Sequence, residues 1–302
     1  MIEVMARSRR GLPYERRLSR EEAKGMTLSD PDFDPDGTWL VEMDDLPIGF
    51  AFAIVDSSRI RAGKDEGYID VDVVPESRGM GIELQLLDMS VTYLRGRGVN
   101  KALSRCPIAD GWRKSLLVSK SFSEYYRVYG LVRKGQPEVP APKLPEGFSV
   151  ERKLLVDCSD AEVASLVEAF NEAFFDHPRF APESPERFMI WRDTHPDPIL
   201  ISKVRKDNAT VGFCISEESK SFNNERGART GWIIVLGVRP EARRKGLARV
   251  IIADGIEWLV DRGMDTVNIG VVSENDRALD LYKSLGFEKE HETIWYQRPT
   301  KD

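Results

Sequence analysis

The chain repeats itself, and the repeat limits what it can become. Pro75 and Pro240, Arg78 and Arg243, Gly81 and Gly246, Gly98 and Gly263, and Phe122 and Phe287 are each 165 positions apart. The register holds without a gap from Val73 to Phe122. That length of ungapped register marks a duplicated unit rather than chance similarity. With 302 residues, each copy has enough chain to bury a core of its own.

The more complete copy centres on Val238-Arg-Pro-Glu-Ala-Arg243-Arg244-Lys245-Gly246-Leu247-Ala248-Arg249. A β-rich run from Trp232 to Val238 precedes it. After it, Leu247, Val250, Ile251, Ile252, Ile256, Leu259 and Val260 recur at helical spacing. The pattern predicts a strand, a tight basic loop and a helix N-terminus. Such a terminus has unpaired N–H groups and a positive dipole end, which suit a phosphate. Gly246 and Ala248 let a ligand approach the backbone, while Arg243, Arg244, Lys245 and Arg249 add positive charge. Neither the Lys-Ser/Thr of a P-loop nor a GxGxxG fingerprint is present.

The order V-x-P-x-x-R-x-x-G-x-A resembles the acyl-CoA signature of the GNAT acetyltransferases. Downstream, Asn275, Ala278, Leu281, Tyr282, Leu285, Gly286 and Phe287 match the family's second signature, N-x-x-A-x-x-L-Y-x-x-L-G-F. The alternative is a Rossmann-like strand–loop–helix for another phosphate. Through the repeat, the resemblance covers nearly the whole chain. It implies an α/β fold with a mixed sheet: two tandem GNAT-like domains, as in tandem GNAT N-acetyltransferases.

The resemblance also implies a mechanism. A central strand splays from its neighbour, and the pantetheine arm of acetyl-CoA lies in the gap. Backbone N–H groups polarise the thioester carbonyl, an amine attacks directly, and a tyrosine protonates the leaving thiolate. Here the strand residues are Leu236, Gly237 and Val238, and Gly237 is the expected site of distortion. Fixed donors of this kind are usually the largest contribution in acyl transfer. Tyr282 is the expected acid, or else a core tyrosine beside the Ala278–Leu281–Leu285 stripe. Asn275 is expected to cap its helix, to contact the pantetheine amide, or both.

The first copy departs at each of these points. Glu83 stands where Ala248 stands, bringing bulk and negative charge to a phosphate site. Leu117 replaces Tyr282, Asp110 replaces Asn275, and Lys120 and Ser121 replace Leu285 and Gly286. Arg78, Gly79 and Gly81 remain. Residues 1–134 are therefore expected to be a degenerate GNAT-like domain and 148–302 the catalytic one. The linker, 135–147, holds four prolines.

In the first domain the expected elements are a strand at Ile2–Met5, a hairpin about Asp44-Asp45, and a strand from Gly67 to Val74. A helix from Ile82 to Arg97 and a closing strand from Glu124 to Arg133 follow. In the second, strands are expected at Phe148–Leu154, Ile199–Lys203, Thr210–Ser216, Thr266–Val272 and Thr293–Arg298. Helices are expected at Asp160–Phe175, Pro185–Thr194 and Asn275–Leu285. Glu217 to Arg229 reads as a polar loop.

The attacking amine must lose a proton, yet the central strand carries no carboxylate. The best-placed groups follow the second domain's first helix: Asp176 and His177, in a run comparable to the AF-x-x-HP of tandem members of the family. His177 is expected as a proton acceptor or as a residue that caps the following loop. Trp232 joins Asp176 and His177 as an expected acceptor contact. His195 and His291 look less well placed, and Glu217, Glu218 and Glu274 are expected to be solvated.

The net charge of −6 argues against a dedicated nucleic-acid binder. Cys106, Cys158 and Cys214 match no metal or disulfide spacing and suit a reducing cytoplasm. No apolar run reaches membrane length. The Arg-rich start (Arg7, Arg9, Arg10, Arg16, Arg17) is interrupted by Glu15, Glu21 and Glu22, unlike a transit peptide, and is expected to be a solvated face. The expectation is a cytoplasmic N-acetyltransferase, monomeric or dimeric, using acetyl-CoA and no metal on a small-molecule, amino-acid or peptide amine. The rival is an acyl-CoA-binding regulatory protein that has lost the reaction.

Overall fold

The computed structural model describes residues 1–15, 18–25, 27–135 and 143–301. Arg16 and Arg17 of the basic start, and residues 136–142 of the proline-rich stretch, lie outside these. The sequence from 1 to 135 contains α1 (Ile2–Ser8), α2 (Arg20–Gly25), β1 (Thr38–Met43), β2 (Leu46–Ile54), α3 (Ser57–Arg61), β3 (Glu66–Val73), α4 (Ile82–Gly96), β4 (Lys101–Pro107), α5 (Gly111–Ser119) and β5 (Ser123–Lys134). The rest contains β6 (Ser149–Leu154), α6 (Asp160–Phe174), α7 (Pro185–Thr194), β7 (Ile199–Lys206), β8 (Ala209–Glu218), α8 (Lys220–Arg226), β9 (Thr230–Val238), α9 (Leu247–Asp261), β10 (Thr266–Val272), α10 (Asp276–Ser284) and β11 (Glu288–Pro299).

These elements form two compact units, Met1–Val128 with His291–Asp302, and Tyr129–Glu290. The second unit is one continuous stretch, whereas the first is assembled from two separate segments. In the first, the strand beside β4 is β11, which pairs antiparallel from Thr293↔Pro107 to Pro299↔Lys101. Ile294 and Tyr296 of β11 are buried with Val71, Leu86, Leu87 and Leu94. In the second, β10 lies beside β5, whose Leu131 joins Ile251, Ile256, Leu259 and Ile269 in the core. The strands of each unit are thus completed by one from the other half of the sequence.

The second unit continues its sheet antiparallel from β9 through β8 and β7 to β6. α9 covers one face. α6 and α7 cover the other, where Val163, Leu166 and Val167 pack on Phe213 and Ile215. Ser159 and Glu162 close a capping box at the start of α6, which satisfies two otherwise orphaned N–H groups.

Two expected elements differ. Ile2–Met5 lies in helix α1 and not in a strand. Glu3 at its first turn and Arg7 at its last suit the helix dipole, and the pair is spaced to meet across one turn. The stretch 217–229 is not one loop. Glu217 and Glu218 end β8, and Lys220–Arg226 forms α8, which stops at Gly227 in the left-handed conformation (φ +60°). Glu217 is consequently buried rather than solvated.

Candidate active site

The site begins with a strand that leaves its neighbour. β9 and β10 pair in parallel from Thr230↔Thr266 to Ile233↔Ile269. Beyond that point Ile234–Val238 and Gly270–Val272 line opposite walls of a cavity of about 1060 Å³. The separation coincides with a bulge. Ile215 of β8 faces Val235 and Ser216 faces Ile233, so Ile234 is the extra residue. The distortion is three residues before Gly237, where the sequence reading had placed it. Gly237 sits in regular register with Phe213, and a Cβ there would lie 2.6 Å from the Phe213 ring. Its lack of a side chain serves packing.

The direction of the backbone donors follows from the β8–β9 ladder. Arg239 N–H donates to Val211 O at 2.9 Å, so this pair is of the hydrogen-bonded kind. Antiparallel pairs alternate between bonded and unbonded, so Gly237 N–H also faces β8. The N–H groups of Leu236 and Val238 face the other way, into the cleft.

At the end of β9 the chain turns through a 3-10 helix, Pro240–Ala242, into the basic loop. Arg244 (φ +63°) and Gly246 (φ +78°) both adopt the left-handed conformation, which bends the loop back onto the N-terminus of α9. Among the described residues, no protein acceptor takes the N–H groups of residues 244–248. No side chain caps α9 either. Arg244, Gly246, Leu247, Ala248 and Arg249 line the cavity; Lys245 does not, and its ammonium lies 5.7 Å from the Phe148 ring centroid. The guanidinium of Arg249 bonds the Ser284 hydroxyl. Arg243 is turned inward: its Nε donates to Val238 O (3.1 Å) and its Nη2 to Ala173 O (2.9 Å) and Asp176 Oδ1 (2.9 Å). It clamps α6 to the loop. The same Arg243 bond holds the Asp176 carboxyl below its ordinary pKa.

Tyr282 closes the far wall. It is buried in the core around Phe287 and also lines the cavity. Burial raises its pKa well above the usual phenol value, with the nearby Cys214 adding to the shift. The phenol is therefore neutral and carries its proton at physiological pH. Among the described residues, its hydroxyl has no protein hydrogen-bond partner. Asn275 Oδ1 caps α10 by accepting from Ala278 N–H at 3.1 Å, while the residue lines the cavity. Asp176 and His177 stand at the α6 side of the same cavity. His177 Nδ1 accepts from Arg179 N–H at 3.2 Å, so its neutral ring carries the proton on Nε2. Arg179 pairs with Glu274 at 3.3 Å, and both line the cavity. The spacing of these residues gave no sign of that pair.

Trp232 is not among the lining residues. It lies on β9 before the bulge and stacks edge-on against Phe222 of α8, with centroids 4.8 Å apart. The structure therefore brings together every expected site residue except Trp232 and Lys245.

The first unit shows the same design filled in. Glu83 folds back so that its Oε1 accepts from Gly79 N–H at 2.8 Å. Gly79 corresponds to Arg244, so the protein's own carboxylate occupies the anion position. Asp70, Asp72 and Arg113 correspond to Val235, Gly237 and Ala278. The Arg113 guanidinium, 4% exposed, bonds Asp70 and lies 2.8 Å from Asp72 and 3.2 Å from Asp110. Arg9 adds contacts of 2.5 Å and 2.6 Å to the two β3 aspartates. An ion network stands where the second unit has an open cleft.

Comparison with known proteins agrees with this geometry. Residues 163–287 match the family described as Acetyltransferase (GNAT) family. A mycothiol acetyltransferase of Rhodococcus erythropolis is 29% identical over 280 residues, covering 85% of this chain and 83% of its own. One from Salinispora tropica is 28% identical over 260 residues, 80% of each. Among solved structures, a tandem GNAT protein from the clavulanic acid biosynthesis pathway superposes with a TM-score of 0.76. It shares 14% identity, over 100% of this chain and 94% of its own. A GCN5-related N-acetyltransferase from Sphaerobacter thermophilus gives 0.69 at 19% identity, over 100% and 92%. The chain is thus similar over most of its length to acetyltransferases and to a tandem GNAT protein, and residues 163–287 of its second unit carry the GNAT family match.

Proposed function

We propose that this N-acetyltransferase has one working site, the cavity of the second unit, and that its acceptor is a small-molecule amine. The observation that carries the reading is a coincidence in space. The splayed ends of β9 and β10, Gly246, Leu247 and Ala248 with their unpartnered N–H groups, and Tyr282 all line one cavity.

The residues fit acetyl-CoA. The N–H groups of 244–248, with Arg244 and Arg249 beside them, would hold the pyrophosphate, and Gly246 and Ala248 leave room for it. Asn275, beyond its cap, would meet the pantetheine amide. When bound, acetyl-CoA supplies the acyl group as an activated thioester. Leu236 and Val238 N–H groups then face the negative charge that develops on the acyl oxygen. Tyr282 holds the proton that the leaving sulfur needs. Asp176 and His177 stand on the acceptor side. With Nδ1 engaged by Arg179 N–H, His177 takes up a proton only if that loop bond opens.

In this reading 148–302 supplies the chemistry, joined through 135–147 to a degenerate domain, 1–134, whose last residues, from Tyr129, complete the working unit. Among the described residues, no helix is long and apolar enough to cross a membrane. The buried, unpaired cysteines support a reducing, cytoplasmic setting for a monomer or homodimer that binds no nucleic acid. The relatives' name makes mycothiol-type amines the first acceptors to test. The assay is thiol release from acetyl-CoA against a panel of amines, with mass analysis of the products. Acetylation of one small-amine class supports the proposal. Tight acetyl-CoA binding with no turnover on any amine would favour the binding-protein reading instead.

A further inference from the structure

We propose that His195, Asp197 and Glu217 form a divalent-cation site, most suited to zinc, that pins α7 to the β7–β8 hairpin. One donor atom of each lies within 4.8 Å of the others. None of the three lines the acetyl-transfer cavity, so the site is separate from that chemistry. They come from three differently anchored places. His195 caps the C-terminus of α7, its N–H bonded to Trp191 O at 2.9 Å. Asp197 lies just before β7, and its Oδ2 accepts from Lys220 N–H at 3.0 Å, at the start of α8. Glu217 is fixed in the sheet between Ile199 of β7 and Trp232 of β9.

Distance, burial and charge each favour a cation. A tetrahedral zinc with ligand bonds of about 2.1 Å places its donor atoms roughly 3.4 Å apart. His195 Nε2 and Glu217 Oε1 are 3.5 Å apart, with side chains 5% and 7% exposed. Two acidic side chains beside an imidazole make a donor set whose negative charge a divalent ion would offset. One imidazole with two carboxylates is a mixed nitrogen–oxygen donor set that zinc accepts, with water as fourth ligand. The Lys220 N–H on Asp197 is the kind of outer contact that orients a metal-binding carboxylate.

The test uses the full chain, stripped with a chelator and dialysed. Zinc chloride is titrated calorimetrically, and thermal melting is followed with and without zinc. The expected result is one zinc per chain and a raised melting temperature. Glu217→Gln and His195→Asn should each weaken binding by at least about ten-fold and erase the thermal shift. Far-UV circular dichroism of the zinc-free variants checks folding, and Asp197→Asn replaces either variant that fails that check. A wild-type chain that binds no zinc would overturn the proposal. Binding that survives the folded substitutions would overturn it equally, by placing the zinc elsewhere.

Discussion

Tyr282 shows how one residue serves packing and chemistry together. Its ring lies in the core, and burial keeps its phenol protonated, while the residue also lines the cavity. Tyr282→Phe keeps the ring and removes the proton. We expect kcat to fall by about 10²- to 10⁴-fold with the acetyl-CoA dissociation constant nearly unchanged. Steady-state rates with calorimetry on the same preparations check this. Retention of turnover within a few-fold would assign Tyr282 to packing alone. A second expectation follows from the direction of the shift. A phenol whose pKa is raised stays protonated beyond its usual value of about 10. In a rate profile from neutral to pH 10, kcat should show no falling limb due to Tyr282. A limb near pH 9 that disappears in Tyr282→Phe would contradict that. The identity of this residue was legible in the motif, but its environment was not. Likewise the motif named Gly237 without revealing that the bulge is at Ile234, because a bulge depends on how β8 pairs with β9 and leaves no local mark.

At the scale of elements, the two strand–loop–helix copies are a natural substitution experiment. Both loops turn through left-handed residues, Gly79 and Gly81 in one, Arg244 and Gly246 in the other. Both clamp arginines reach the end of the preceding strand: Arg78 Nε donates to Val73 O and Arg243 Nε to Val238 O, each at 3.1 Å. The arginine that looked like a phosphate ligand is thus a strut in both units. Sequence reading gives it a charge but not a direction. What separates the copies is the carboxylate of Glu83, bonded to the N–H that the second copy leaves open. Ala248→Glu should copy this closure, and repulsion of a pyrophosphate should weaken acetyl-CoA by about ten- to a hundred-fold or more. Glu83→Ala should create no second site, because Arg113, Arg9 and the β3 aspartates still fill the cleft behind it. Calorimetry should therefore give one acetyl-CoA per chain for wild type and for Glu83→Ala. Two equivalent sites in either, or tight binding by Ala248→Glu, would reassign the working unit.

At the scale of the whole molecule, the duplication was plain in the sequence, while the partition into units was not. An offset of 165 says that two copies exist, but not which copy a terminal strand completes. That choice is made by long-range pairing: β11 against β4, and β5 beside β10. The second unit needs its borrowed strand. Leu131 is 2% exposed within its core, and Arg133 Nε donates to Leu285 O at 3.1 Å, holding the turn that follows Tyr282. Losing a buried leucine alone costs about 2–5 kcal/mol, against a total stability of about 5–15 kcal/mol for a domain. A fragment of residues 148–302 lacks that strand and carries β11 with no β4 to pair with. A fragment of residues 129–290 keeps the whole compact unit. We expect the first to melt without cooperativity and to bind no acetyl-CoA, and the second to melt cooperatively and bind it. Thermal unfolding by circular dichroism and calorimetric titration of the two fragments decide the matter. If 148–302 binds as tightly as the full chain, β5 is dispensable and the unit follows the sequence half; if 129–290 fails while the full chain binds, the unit does not stand alone.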